Sequence, residues 1–326
     1  MNINPINFYS QNQVSSNNKA GVGFIFNQPA SDCFIKSKNV SFTALSNAEL
    51  RQQKVDVYMK DLSTKLSSPK FSISDISNSI SKHSRNVRVK PLNQAPKELL
   101  FSKSIHGLYS VELAYNSSEN RLFFPKQNRN FYVRTESLKE ELGNIGVFVN
   151  SVHEFTHVLQ YDAENANQLG IFNSYIQKNK ADIDEALKQV SVVSSIVNSV
   201  EESVARPFID TLVQNEDLAY NRLQMGRIDM FDWLCRKNKI TDFEEYVNEK
   251  ITVAIKKAEE EQSIQIDKKL FFDATINHFE KEIEAYQNEN KAFKMCLGVD
   301  SPRALTRTQL YKKSIEVIKK ISSEEN

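Results

Sequence analysis

Apolar residues recur every three to four positions along most of this chain, and that period predicts helices. Leu50, Val55, Tyr58, Met59 and Leu62 follow a capping box, Ser46-Asn47-Ala48-Glu49, and predict a helix running to about Leu66. Ile73, Ile76 and Ile80 predict a shorter helix over 74–82. The period then changes to two. Val87-Arg88-Val89 reads as the start of a strand, and Tyr109, Val111, Leu113 and Tyr115 alternate with smaller or polar residues. Asn116 to Asn120 supplies a turn and Arg121-Leu122-Phe123-Phe124 returns, closed by Pro125, so a hairpin is predicted near 108–124. Beyond residue 135 the helical period dominates, with stretches over 145–161, 182–216, 241–263, 268–296 and 306–322. A second capping box, Thr241-Asp242-Phe243-Glu244, opens one of them, and Gly298 and Pro302 punctuate the last connection. Gly143 and Gly146 allow a break or bend just before the 145–161 helix.

Residues 1–45 carry no such periodicity and are rich in Asn, Ser and Gln, which predicts a disordered or loosely attached tail. Short apolar pieces in it, such as Phe24-Ile25-Phe26, could dock on the domain or a partner. The remaining 46–326 reads as one α+β, predominantly helical domain: a mixed α/β part over 46–135, then a helical part over 136–326. No internal repeat is visible.

Composition narrows the function classes. The net charge of +1, with no basic stripe interleaved with aromatics, gives no electrostatic case for nucleic acid. No window approaches the about 18 consecutive apolar residues of a membrane span. The N-terminus lacks the apolar segment of a signal peptide, which suggests a cytoplasmic protein or one secreted without a standard signal. Cys33, Cys235 and Cys296 are odd in number and far apart, in no metal-binding or disulfide pattern, and read as isolated thiols. Runs such as Lys256-Lys257-Ala258-Glu259-Glu260-Glu261 read as solvated helix faces.

The chemistry concentrates in His153-Glu154-Phe155-Thr156-His157. On a helix, positions i and i+4 share a face, so both imidazoles can reach one ion. Glu154 is rotated by about 100° from His153, so it flanks the ion instead of ligating it. That is where a general base for a zinc-bound water belongs. Phe148, Val149, Val152, Thr156 and Leu159 form a largely apolar stripe beside the pair. A catalytic zinc takes three protein ligands and keeps one position open, so a third ligand is required. The metzincin extension is absent, because Gln160 stands where its glycine would be and Glu164 where its histidine would be.

His153-Glu154-Phe155-Thr156-His157-Val158-Leu159-Gln160, followed by Glu282-Ile283-Glu284-Ala285-Tyr286, resembles the zincin-like metallopeptidase superfamily on its gluzincin side. The resemblance covers the helix at 145–161 and the helix around 273–295. It implies a small antiparallel sheet whose edge strand borders the cleft, with one Zn2+ ion held by His153, His157 and Glu282. Glu202, in Glu202-Ser203-Val204-Ala205, and Glu284 are competitors for the third ligand. The family aspartate that supports a ligating histidine is replaced here by Tyr286, which could bond a histidine or a substrate oxyanion instead. His278, one turn before Glu282, is a candidate for the same duties, with a partly exposed surface histidine as the simpler expectation. His83 and His106 are expected to be structural, and Tyr109 and Tyr115 to be packing residues. The implied activity is zinc-dependent peptide-bond hydrolysis on a peptide or protein substrate, with Glu154 as general base. An inserted helical region near 163–268 could cover the cleft or bind a protein partner. The alternatives are a non-catalytic interaction protein on the same fold, or an effector-like protease of narrow specificity.

Overall fold

A computed structural model describes residues 46–96, 107–111, 114–124, 129–135, 138, 141–162, 168–215, 218–219, 221 and 230–324. The expected N-terminal tail and His106 lie outside these residues.

Nine α-helices, one short 3-10 helix (Leu92–Gln94) and five strands are described, and helices dominate. Helix α1 (Asn47–Ser63) begins at the expected capping box, with Ser46 and Glu49 bonding each other's backbone N–H. Helix α2 (Ile73–Ser81) is also capped by a box, Ser72 with Asp75. The strands are β1 (Val87–Pro91), β2 (Gly107–Val111), β3 (Ala114–Asn116), β4 (Arg121–Phe123) and β5 (Arg129–Val133). Then come α3 (Glu141–Asp162), α4 (Gln168–Lys178), α5 (Ile183–Gln214), α6 (Met230–Lys237), α7 (Phe243–Gln262), α8 (Lys268–Leu297) and α9 (Pro302–Glu324).

The sheet departs from the expected simple hairpin. Among the described residues, β2 does not pair with the return strand β4. It pairs antiparallel with β5, setting Tyr109 opposite Phe131, while β1 runs parallel to β5 on its other side. The three-stranded sheet β1-β5-β2 is therefore mixed, with β2 as an edge. Among the described residues the expected hairpin is present in its outer part, as the two-stranded β3–β4 pair. Asn173 of α4 clamps that pair, exchanging two hydrogen bonds with the backbone of Leu122 (2.7 and 3.1 Å).

Helix α3 passes through both Gly143 and Gly146 as one helix of 22 residues, so the break allowed there does not occur. It is the central element. Val147, Phe148, Val152, Phe155, Val158 and Leu159 are buried in the main core. Helix α1 packs on α3 through Tyr58, whose ring stacks on Phe155 (centroids 4.1 Å apart) and whose hydroxyl donates to Ser151. Helix α8 packs along α3 and is backed in turn by α9. Asn288 of α8 reaches Thr156 of α3 at 3.2 Å. The expected inserted region contains α4 to α7, of which α4 and α5 pack against α8. Among the described residues no helix is long and apolar enough to cross a membrane.

Candidate metal centre

The α3–α8 interface brings together three of the sequence-predicted ligands. His153 Nε2 and His157 Nε2 lie 3.2 Å apart. The two oxygens of Glu282 reach them separately, Oε1 at 3.2 Å from His157 Nε2 and Oε2 at 3.6 Å from His153 Nε2. A tetrahedral ion with bonds of about 2.0–2.2 Å spaces its ligand atoms about 3.3–3.6 Å apart. The three side chains thus bring their donor atoms to spacings of the size that one such ion needs. All are buried: His153 is 3% exposed, His157 5% and Glu282 4%.

The outer contacts fix which ring nitrogens face inward. Gln160 lies one turn beyond His157, and its Nε2 donates to the Lys281 carbonyl (3.1 Å) and to Glu284 Oε2 (3.0 Å). Both partners are pure acceptors, so the amide nitrogen must face them and the amide oxygen must face the other way. That oxygen lies 2.9 Å from His157 Nδ1, which therefore carries the proton. Nε2 of His157 is left with its lone pair toward Glu282 and His153. At His153, Nδ1 lies 3.0 Å from Glu289 Oε2, off the line of a hydrogen bond but close enough for the carboxylate to favour a proton there. Two imidazole lone pairs and a carboxylate then converge on one point, an arrangement that calls for a cation.

The electrostatics agree. Burial alone would lower the His153 pKa, but Glu282 and Glu289 outweigh it and raise it to about 10. His157 is likewise raised against its burial, chiefly by Glu282. Burial would raise Glu282, yet the two histidines hold it well below the usual carboxylate range. The carboxylates around the two histidines thus favour positive charge at this spot.

Glu154 points elsewhere, as its helix position requires. It is 1% exposed, and its Oε2 accepts the backbone N–H of Tyr109 at 2.8 Å, so the outer edge of β2 holds the carboxylate. Burial raises its pKa. Tyr109 is a packing residue, as expected, its ring tilted against Tyr161. Its backbone role on Glu154 was not legible from side-chain pattern. Tyr115 belongs to the other strand pair and bonds Asn120.

The remaining candidates separate clearly. Glu202 faces outward and pairs with Arg206 at 2.6 Å, far more exposed than any of the three ligands. Glu284 binds Arg51 and Gln160 and lies outside the His153–His157–Glu282 group. Tyr286 is buried with its ring edge-on to His153, centroids 4.5 Å apart. Glu289, one helical turn further on, places a carboxylate 3.0 Å from His153 Nδ1. His278 corrects the expectation of a surface histidine: it is 8% exposed and its Nε2 lies 2.6 Å from Glu201 Oε2. His83 packs near Phe155, in keeping with a structural role. Cys235 and Cys296 form no disulfide.

Glu201, Arg307 and Tyr311 were missed. Glu201 is fully buried and also receives Arg307 Nη1 (3.2 Å) and the Tyr311 hydroxyl. Arg307 and Tyr311 bond each other as well, and the guanidinium lies 5.6 Å from the Tyr286 ring centre. This network abuts the first: Glu201, His278 and Glu282 also lie close enough together to share an ion. Lys281 was missed too. Its Nζ is buried over the Tyr161 ring at 5.1 Å, without a hydrogen-bond partner among the described residues, and burial lowers its pKa to about 7.

Comparison of the chain with protein-family models, with curated proteins and with solved structures finds no match in any of the three.

Proposed function

We propose that this protein is a zinc-dependent metallopeptidase of zincin-like architecture, with His153, His157 and Glu282 as ligands and Glu154 as general base. The observation that carries this reading is the convergence of two buried imidazole nitrogens, 3.2 Å apart, on the two oxygens of Glu282 (3.2 and 3.6 Å), beside a second carboxylate, Glu154, that lies outside the group. Three protein ligands leave a fourth position open, the arrangement of catalytic rather than structural zinc. A zinc ion there supplies Lewis acidity, polarising a scissile carbonyl and acidifying water.

The protein's own residues divide the other duties. Glu154, its Oε2 held by the Tyr109 N–H, keeps Oε1 to take a proton from the attacking water and return it to the leaving amine. Its raised pKa brings it nearer to neutrality, which suits a group that must both accept and release a proton. Tyr286 and His278 stand beside the centre as candidates for steadying the oxyanion. The rest of the β2 edge, beyond the Tyr109 N–H that Glu154 engages, gives an extended peptide a backbone with which to pair.

The test is Glu154→Gln. Zinc content should stay at the parent level, and hydrolysis of a mixed peptide library should fall by about 10²–10⁴-fold. A library left uncut by the zinc-loaded parent would sink general peptidase activity. A second reading, a closed metal centre without catalysis, is favoured by the site's deep burial. In that case zinc should exchange over hours against excess chelator and no substrate should be turned over.

A further inference from the structure

Arg51, on α1, is about as far from the metal chemistry in sequence as a described residue can be. It nevertheless lies at the end of an unbroken chain of hydrogen bonds to a ligand. Arg51 Nε and Nη2 donate to the two oxygens of Glu284, each at 3.1 Å, a two-pronged pairing that fixes the carboxylate's plane. Glu284 Oε2 accepts Gln160 Nε2 at 3.0 Å, and Gln160 Oε1 faces His157 Nδ1 at 2.9 Å. His157 Nε2 then faces Glu282 Oε1 at 3.2 Å.

Each link restricts the next. A carboxylate can only accept, so Glu284 dictates which end of the Gln160 amide turns toward it. The Lys281 carbonyl makes the same demand on the same nitrogen, at 3.1 Å. The amide oxygen is thereby committed to His157, and the imidazole to the tautomer whose Nε2 can ligate. Without Glu284 the amide could rotate and offer N–H to Nδ1, selecting the tautomer that cannot bind the ion through Nε2. Without Arg51 the Glu284 carboxylate, partly exposed, would be free to swing toward water.

We propose that Arg51, Glu284 and Gln160 form a positioning relay that sets the His157 tautomer and thereby the protein's affinity for zinc. The relay rests on the zinc reading above and adds to it residues that touch neither metal nor substrate. It also ties α1 to the centre, so that metal affinity depends on α1 being docked on α3 and α8.

The experiment is zinc affinity of the full chain, measured by competition with a chromophoric chelator for the parent, Gln160→Leu, Glu284→Leu, Arg51→Met and Arg51→Lys. Changes one layer outside the ligands typically weaken metal binding by about 10–100-fold. Gln160→Leu should fall in that range, Glu284→Leu less far, and Arg51→Met least, with Arg51→Lys restoring part of the loss. Adding Glu284→Leu to Gln160→Leu should change zinc affinity no further, whereas two independent packing defects would add. Arg51 and Glu284 are at the rim, so their variants report even if Gln160→Leu does not fold. Parent-like affinity in the Glu284 and Arg51 variants would overturn the relay while leaving the zinc site standing. Absence of zinc binding by the parent would overturn both.

Discussion

Two buried histidine–glutamate clusters sit side by side on α8, and they solve the problem of buried charge in opposite ways. His153, His157 and Glu282 point two nitrogen lone pairs and a carboxylate at one spot. Glu201 and His278 also meet Glu282 at ligand distances. There, however, Arg307, Tyr311 and His278 all approach the oxygens of Glu201. A carboxylate already neutralised by a guanidinium has little to offer a divalent ion, and a buried cation beside the site opposes a second one. Spacing alone does not make a metal site. What separates the clusters is whether positive charge is already supplied.

The comparison breaks most readily at Glu201. Glu201→Gln strands the buried Arg307 guanidinium, and removing one partner of a buried pair costs about 3–5 kcal/mol. Chemical denaturation should show a loss on that scale with zinc stoichiometry unchanged. A loss of zinc from a still-folded Glu201→Gln would instead make Glu201 a ligand. A smaller effect concerns protons. His153, raised to about 10, is protonated at neutral pH in the metal-free protein, so zinc must displace at least one proton. Zinc affinity should therefore rise by about tenfold per pH unit for each proton displaced between pH 6 and 8. Calorimetric titrations in buffers of different ionisation enthalpy would count the protons released, and a count of zero would contradict the charge balance described for this cluster. The smallest effect belongs to Glu202. Its pairing with Arg206 is at the surface, so Glu202→Ala should leave zinc binding intact and change stability by no more than about 0.5 kcal/mol.

How the sequence foreshadowed these clusters follows from helix geometry. His153, Glu154 and His157 are neighbours on one helix, so their relation was fixed by spacing before any tertiary contact. Glu282 required a family resemblance, since nothing local distinguishes it from Glu284; only the packing of α8 on α3 turns one inward and the other toward Arg51. That Glu201 rather than Glu202 is the buried residue was open to a closer look at α5. Val197, Val200, Val204 and Phe208 are all buried there, and Glu201 falls on that stripe while Glu202 falls off it. A charged residue in step with an apolar stripe is a buried one awaiting a partner. His278 is the same signal on α8, in step with the buried Phe271, Thr275 and Glu282. Arg307 and Tyr311 repeat it on α9. The expected hairpin near 108–124 held only in its β3–β4 part for another reason: the partner of β2 is β5, and no local turn encodes that pairing. The helical architecture was thus legible from period, while the mixed sheet and the outer hydrogen bonds depended on contacts distant in sequence.

Metal analysis of the purified protein bears most directly on the difference between the clusters. One zinc ion per chain is expected in the parent and in Glu201→Gln, and none in His153→Ala, with all three proteins folded by circular dichroism. Two ions in the parent, or none, would contradict the assignment of a single zinc to His153, His157 and Glu282.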